Sequence, residues 1–86
     1  MINRIREFYR NRQVKVRDME FRTGFLHAID RRLFPDATPL LQEPDAQRLR
    51  IESSSFNTGA VWGDSLHITS TTWLHIENAR RIVTSV

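Results

Sequence analysis

Residues 57–86, NTGAVWGDSLHITSTTWLHIENARRIVTSV, decide how the chain is built. They read as short strands separated by turn chemistry. Gly63-Asp64 is a two-residue loop led by glycine, which suits a type II′ hairpin because glycine takes the positive φ that matches strand twist. That turn pairs Trp62 with Ser65, Val61 with Leu66, Ala60 with His67 and Gly59 with Ile68. Side chains alternate across a strand, so Val61, Leu66 and Ile68 share one face while Trp62 and His67 share the other. After a break at Ser70-Thr71-Thr72, Leu74 and Ile76 lie on one face with Trp73 and His75 opposite. A polar break at Glu77-Asn78-Ala79 leads to a last strand, Ile82 to Val86. A second reading of one segment stays open: Thr72 to Val83 as a helix, with Thr72 as N-cap and Ile76, Ala79 and Val83 at helical spacing. The middling helix propensity of Trp, His, Ile and Val, and the strand-like TSV ending, favour the strand.

Gln47–Ser53, where Leu49 and Ile51 alternate with Arg48 and Arg50, adds a fifth strand. A hairpin alone is unstable in water, so the sheet must curl on itself or lie under a helix. Strands this short, with a one-turn break before the last, resemble a small SH3-like or Sm-like barrel. The resemblance is architectural and implies no function.

The N-terminal half reads as two helices. Ile2–Gln13 carries Ile2, Ile5, Phe8 and Tyr9 as one apolar stripe, with Asn3 as a cap. Val14-Lys15-Val16 breaks it. Asp18 then caps a second helix from Met19 to about Phe34, with Glu20 in its first turn and Arg31 and Arg32 in its last, as the helix dipole favours. Phe21, Phe25, Ile29 and Leu33, with Leu26 beside them, form its core stripe. Gly24 inside that helix costs about 1 kcal/mol against alanine, which predicts close approach of another element. Pro35 ends the helix, because the residue before a proline avoids the α region. All three prolines fall in residues 35–44, making 35–46 a connector. The expected fold is thus a single α+β domain, with a helical segment at 1–34, the connector at 35–46 and a β-rich segment at 47–86: two N-terminal helices followed by a curled antiparallel sheet of four to five short strands.

At 86 residues the chain suits one domain, burying roughly 60–65% of its unfolded surface. There is no cysteine, hence neither a disulfide framework nor a thiolate metal site. No run approaches the ~20 apolar residues of a membrane span and the N-terminus lacks a signal-peptide core, so no membrane role and a cytoplasmic location are expected. Charge is uneven. Residues 1–17 hold Arg4, Arg6, Arg10, Arg12, Lys15 and Arg17 against Glu7 alone, a local +5, whereas 18–86 hold seven arginines against nine acids, or −2. The basic character belongs to the N-terminal segment.

Catalysis has no visible basis: there is no Gly-rich phosphate loop, no nucleophile elbow and no His-x-x-x-His. No enzyme activity and no cofactor are expected. His67 and His75, as cross-strand neighbours with Glu52 or Glu77 nearby, are two ligands of uncertain register, too few to define a zinc site. His27 reads as a boundary residue at the core edge. Arginine forks bind phosphate and aromatic sheet faces stack bases, so the N-terminal arginines also suit nucleic acid. The slightly acidic remainder of the chain favours a protein partner instead. Trp62 and Trp73 are either outer core under the second helix or, with His67 and His75, an exposed patch of hot-spot composition. The expected function is that of a small accessory protein, a regulator or inhibitor of the bacterial, plasmid or phage type, acting by binding a macromolecular partner. Arg4, Arg6, Arg10, Arg12, Lys15, Arg17, Trp62, His67, Trp73 and His75 are its candidate contacts; nucleic-acid binding and self-assembly into a homo-oligomer are the alternatives.

Overall fold

The computed structural model describes the backbone of residues 2–85 and the side chains of residues 14–85. It holds four helices among the described residues and no strand: α1 (Ile2–Leu33), α2 (Glu43–Glu52), α3 (Ser54–Ser65) and α4 (Ser70–Thr84). The α+β expectation, with its curled sheet and barrel, is therefore wrong, and so is the division into a helical half and a β-rich half. The physical reasons differ from element to element.

The N-terminal half is one helix, not two. The β-branched residues Val14 and Val16 each cost only a few tenths of a kcal/mol in a helix, too little to break one. Asp18 does not cap: its carboxylate accepts from Arg22 Nε at 2.9 Å, an i,i+4 pair within a continuous helix. Residues 14–18 are exposed, whereas 24–29 are all buried. A helix segment buried around its whole circumference, as residues 24–29 are, sits at the centre of a domain, and α2, α3 and α4 supply its cover.

Gln47–Ser53 is the C-terminal half of α2 and its cap. Pro44 in the first turn, Glu43 and Asp45 beside it and Arg50 in the last turn are helix-start and helix-dipole signals. Ser53 closes α2 and opens α3. Its N–H donates to the Leu49 carbonyl, and its Oγ accepts from the Phe56 N–H at 3.1 Å. The same hydroxyl donates to the Glu20 carboxylate of α1.

α3 runs parallel to α1. Ser53 lies at Glu20, Phe56 at Gly24, Gly63 at Ala28, and Arg32 donates to the carbonyls of Gly63 and Leu66 at 2.6 and 3.0 Å. Gly63-Asp64, expected as a hairpin turn, sits inside this helix. Gly59 and Gly63 are one turn apart and buried against α1. A Cβ at Gly59 would overlap the Phe21 carbonyl, lying 2.9 Å from its carbon, and one at Gly24 would overlap that of Phe56 at the same distance. A Cβ at Gly63 would come within 2.7 Å of Ala28 Cβ. Small residues on both helices let the two backbones touch, as expected for Gly24.

α4 takes the helical alternative for its segment, with the cap shifted. Thr69 is the N-cap, its side chain accepting from the Thr72 N–H at 3.2 Å. Thr72 is buried and its hydroxyl donates to the His67 carbonyl at 2.8 Å. Ile76 and Ala79 join Phe25, Leu26 and Ile29 in the core, with Leu33, Leu66, Ile68 and Val83 at its margin. α4 returns along α1 from Trp73, whose ring lies 6.4 Å from that of Phe34, to Arg80, which pairs in two-pronged fashion with Asp30. That hydrogen-bonded pair raises the Arg80 pKa. Leu74, expected on the aliphatic face, is exposed.

Candidate functional site

α3 and α4 flank α1 without packing on each other, and between them the face of α1 just before its buried 24–29 segment stays open. The result is a groove of about 480 Å³. Phe21 and Phe25 of α1 form its floor, Trp62 and Leu66 one wall, and Thr72, His75 and Ala79 of α4 the other. Asp18 and Arg22, already paired with each other, lie at its α1 edge. Trp62 is 54% exposed, a large apolar surface left in water while Gly59, Ala60 and Gly63 of the same helix are buried.

The sequence-predicted contacts are thus divided. Trp62 and His75 meet at the groove, brought there by α3 and α4 and not by a shared sheet face. His67 is exposed in the α3–α4 connection, where its backbone carbonyl takes the Thr72 hydroxyl. Trp73 stands apart against Phe34, so neither tryptophan is outer core beneath a helix. Cross-strand pairing of His67 with His75 falls with the sheet. No group of three or more His, Asp or Glu among the described residues is placed to hold a metal ion. Lys15 and Arg17 are exposed on α1 one turn before the groove. The side chains of Arg4, Arg6, Arg10 and Arg12 lie outside the described residues.

Helical periodicity alone places Phe21 and Phe25 in the core, and strand alternation places Leu66 on the aliphatic face. Their second role as groove lining depends on α3 and α4 standing apart, which no local pattern encodes.

A second cavity, about 430 Å³, lies between the C-terminal half of α1 and the 35–42 connector. His27 borders it and is 2% exposed, far from the boundary position expected of it. Its Nε2 has no hydrogen-bond partner; the nearest acceptor, Glu43 Oε2, is 3.6 Å away, and Glu43 is itself held by Arg31 at 2.9 Å. Desolvation lowers the His27 pKa below its usual 6.5, and Arg31 and Arg50 add to this, while Glu43 opposes it in part. The folded chain therefore takes up the imidazole proton less readily than the unfolded chain. The resulting stability is complete above pH 6.5 and is lost as pH falls toward the lower folded value. Urea midpoints at pH 7.5 and 5.5 test this: the wild type is expected to lose more stability than His27→Gln, and equal losses would remove His27 from the account.

No protein-family model matches the chain, and neither a curated protein nor a solved structure is significantly similar to it. Among the described residues, no helix is long and apolar enough to cross a membrane.

Proposed function

We propose that this chain is a non-enzymatic accessory protein, acting in the cytoplasm as a regulator or inhibitor by docking a partner protein on the groove between α3 and α4. The observation that carries the reading is Trp62. A half-exposed indole over an aromatic floor, bordered by threonines and a histidine, has the make-up of an interface hot spot. The basic N-terminal half of α1 supports it by adding steering charge, which acts mainly on association rate.

The same arginines also suit phosphates, so nucleic acid is the competing ligand. The two differ in salt dependence. Four phosphate contacts give a log–log salt slope of about −3 to −4. Fluorescence anisotropy with single- and double-stranded oligonucleotides at two salt concentrations is expected to show no binding at physiological ionic strength. A pull-down from nuclease-treated lysate is expected to retain a protein that Trp62→Ala loses, and that substitution should spare the fold because the indole is half exposed. Submicromolar oligonucleotide binding with the steep slope would overturn the reading.

A further inference from the structure

The groove does not end at Asp18. Phe25 and Phe21 are one turn apart on α1, and Val14, two turns before Phe21, lies on the same face by helical periodicity. Val14 is 56% exposed, so the apolar face resumes beyond the Asp18–Arg22 pair on the exposed residues 14–18 of α1. Basic residues flank this face on both sides: Lys15 and Arg22 fall on one, Arg17 on the other. Arg22 is compensated by Asp18. Among the described residues neither Lys15 nor Arg17 enters an ion pair, and the sequence before them adds four arginines against one glutamate.

From this combination we infer that the occupant of the groove is an acidic amphipathic helix of a partner protein. Its apolar ridge lies along Val14, Phe21 and Phe25 against Trp62, and its acidic flanks face Lys15, Arg17 and the basic segment beyond. A helix laid in an apolar groove presents its anchors at i, i+3, i+4 and i+7. A second copy of this chain is the poorer occupant. Laying α1 of one copy along α1 of another would bring together two segments of +5 each. The inference rests on the protein-binding reading above and specifies the partner's chemistry.

The test uses Trp62 as reporter in a Trp73→Phe background, which leaves one indole. The probes are two 14-residue synthetic helices with the same leucine ridge, one with glutamate flanks and one with lysine flanks. The glutamate helix is expected to shift Trp62 emission to the blue and to bind at least about tenfold more tightly than the lysine helix at low salt. That preference should shrink above physiological ionic strength as the charges are screened. Val14→Glu, at an exposed helical position, should leave the melting temperature near that of the wild type and weaken the glutamate helix at least about fivefold. Equal binding of the two helices, or none of either at millimolar concentration, overturns the inference and leaves the protein-binding reading standing. Oligonucleotide binding by the same sample overturns both. A self-association constant in the micromolar range by sedimentation would instead assign the groove to a second copy.

Discussion

Gly59→Ala is expected to unfold the chain or lower its melting temperature sharply, although alanine is the better helix former. The two effects oppose each other and their sizes decide the outcome. Replacing glycine by alanine inside a helix gains about 1 kcal/mol of propensity. The new Cβ would overlap the backbone carbonyl of Phe21 and sit 3.0 Å from the Phe25 nitrogen. Neither atom belongs to a side chain that can turn away, so α1 and α3 must separate along their whole line of contact. Overpacking that shifts backbone costs about 1–3 kcal/mol and occasionally more, and overlap with a main-chain carbonyl belongs at the upper end of that range, about 3 kcal/mol. A net loss of at least about 2 kcal/mol follows, from a total that for a chain this size is of the order of 5–10 kcal/mol. Asn57→Ala, exposed on the same helix, provides the control and should change stability little. A Gly59→Ala protein melting at or above the wild type would mean that the parallel α1–α3 contact does not organise the fold.

That contact also explains what the sequence conceals. Read locally, Val61, Trp62, Ile68, Trp73 and Ile76 are strand formers, and Gly63-Asp64 is turn chemistry. Local preference is a weak term, a few tenths of a kcal/mol per residue, which packing overrides. The overriding signal was present in a different form. Gly59 and Gly63 stand four apart, as do Gly24 and Ala28, and small residues at that spacing on two helices allow close backbone contact. The sequence marks Gly24 as a point of close approach, whereas Gly63, which meets α1 at Ala28, reads locally as a turn. α2 was hidden for a similar reason: a proline suggests a connector, yet proline in a first turn flanked by Glu43 and Asp45 begins a helix.

The core stripe of α1 was legible because periodicity over four turns survives any choice of partner. Phe25, Leu26 and Ile29 are buried as their spacing requires, and Pro35 follows the last turn. The groove was only half legible. Trp62 and His75 read from the sequence as candidate partner contacts, but their meeting point depends on how α3 and α4 sit on α1. His27 shows the converse. A histidine on the helix flank looks like a boundary residue until helices from another part of the chain cover it, here α2 with Glu43 and α3 with Phe56.

Phe56→Ala is the second substitution of large expected effect, at a residue that fell between the expected strands and belonged to none. Its side chain is fully buried, the largest among the fully buried ones, and its ring lies 6.4 Å from that of His27. Its backbone is fixed from both ends: the N–H by the Ser53 hydroxyl, the carbonyl by contact with Gly24. The helix therefore cannot slide to fill the space a missing ring leaves. A cavity that does not collapse costs the most, about 3–5 kcal/mol for a buried phenylalanine reduced to alanine. For a domain of 60–100 residues each kcal/mol is worth roughly 4–8 °C, so the melting temperature should fall by well over 10 °C. Phe56→Leu, which keeps most of the volume, should recover more than half of that loss. Leucine and alanine variants that melt together near the wild type would mean that the junction of α1, α2 and α3 is not closed around this ring. The placement of His27 beside it would then fall as well.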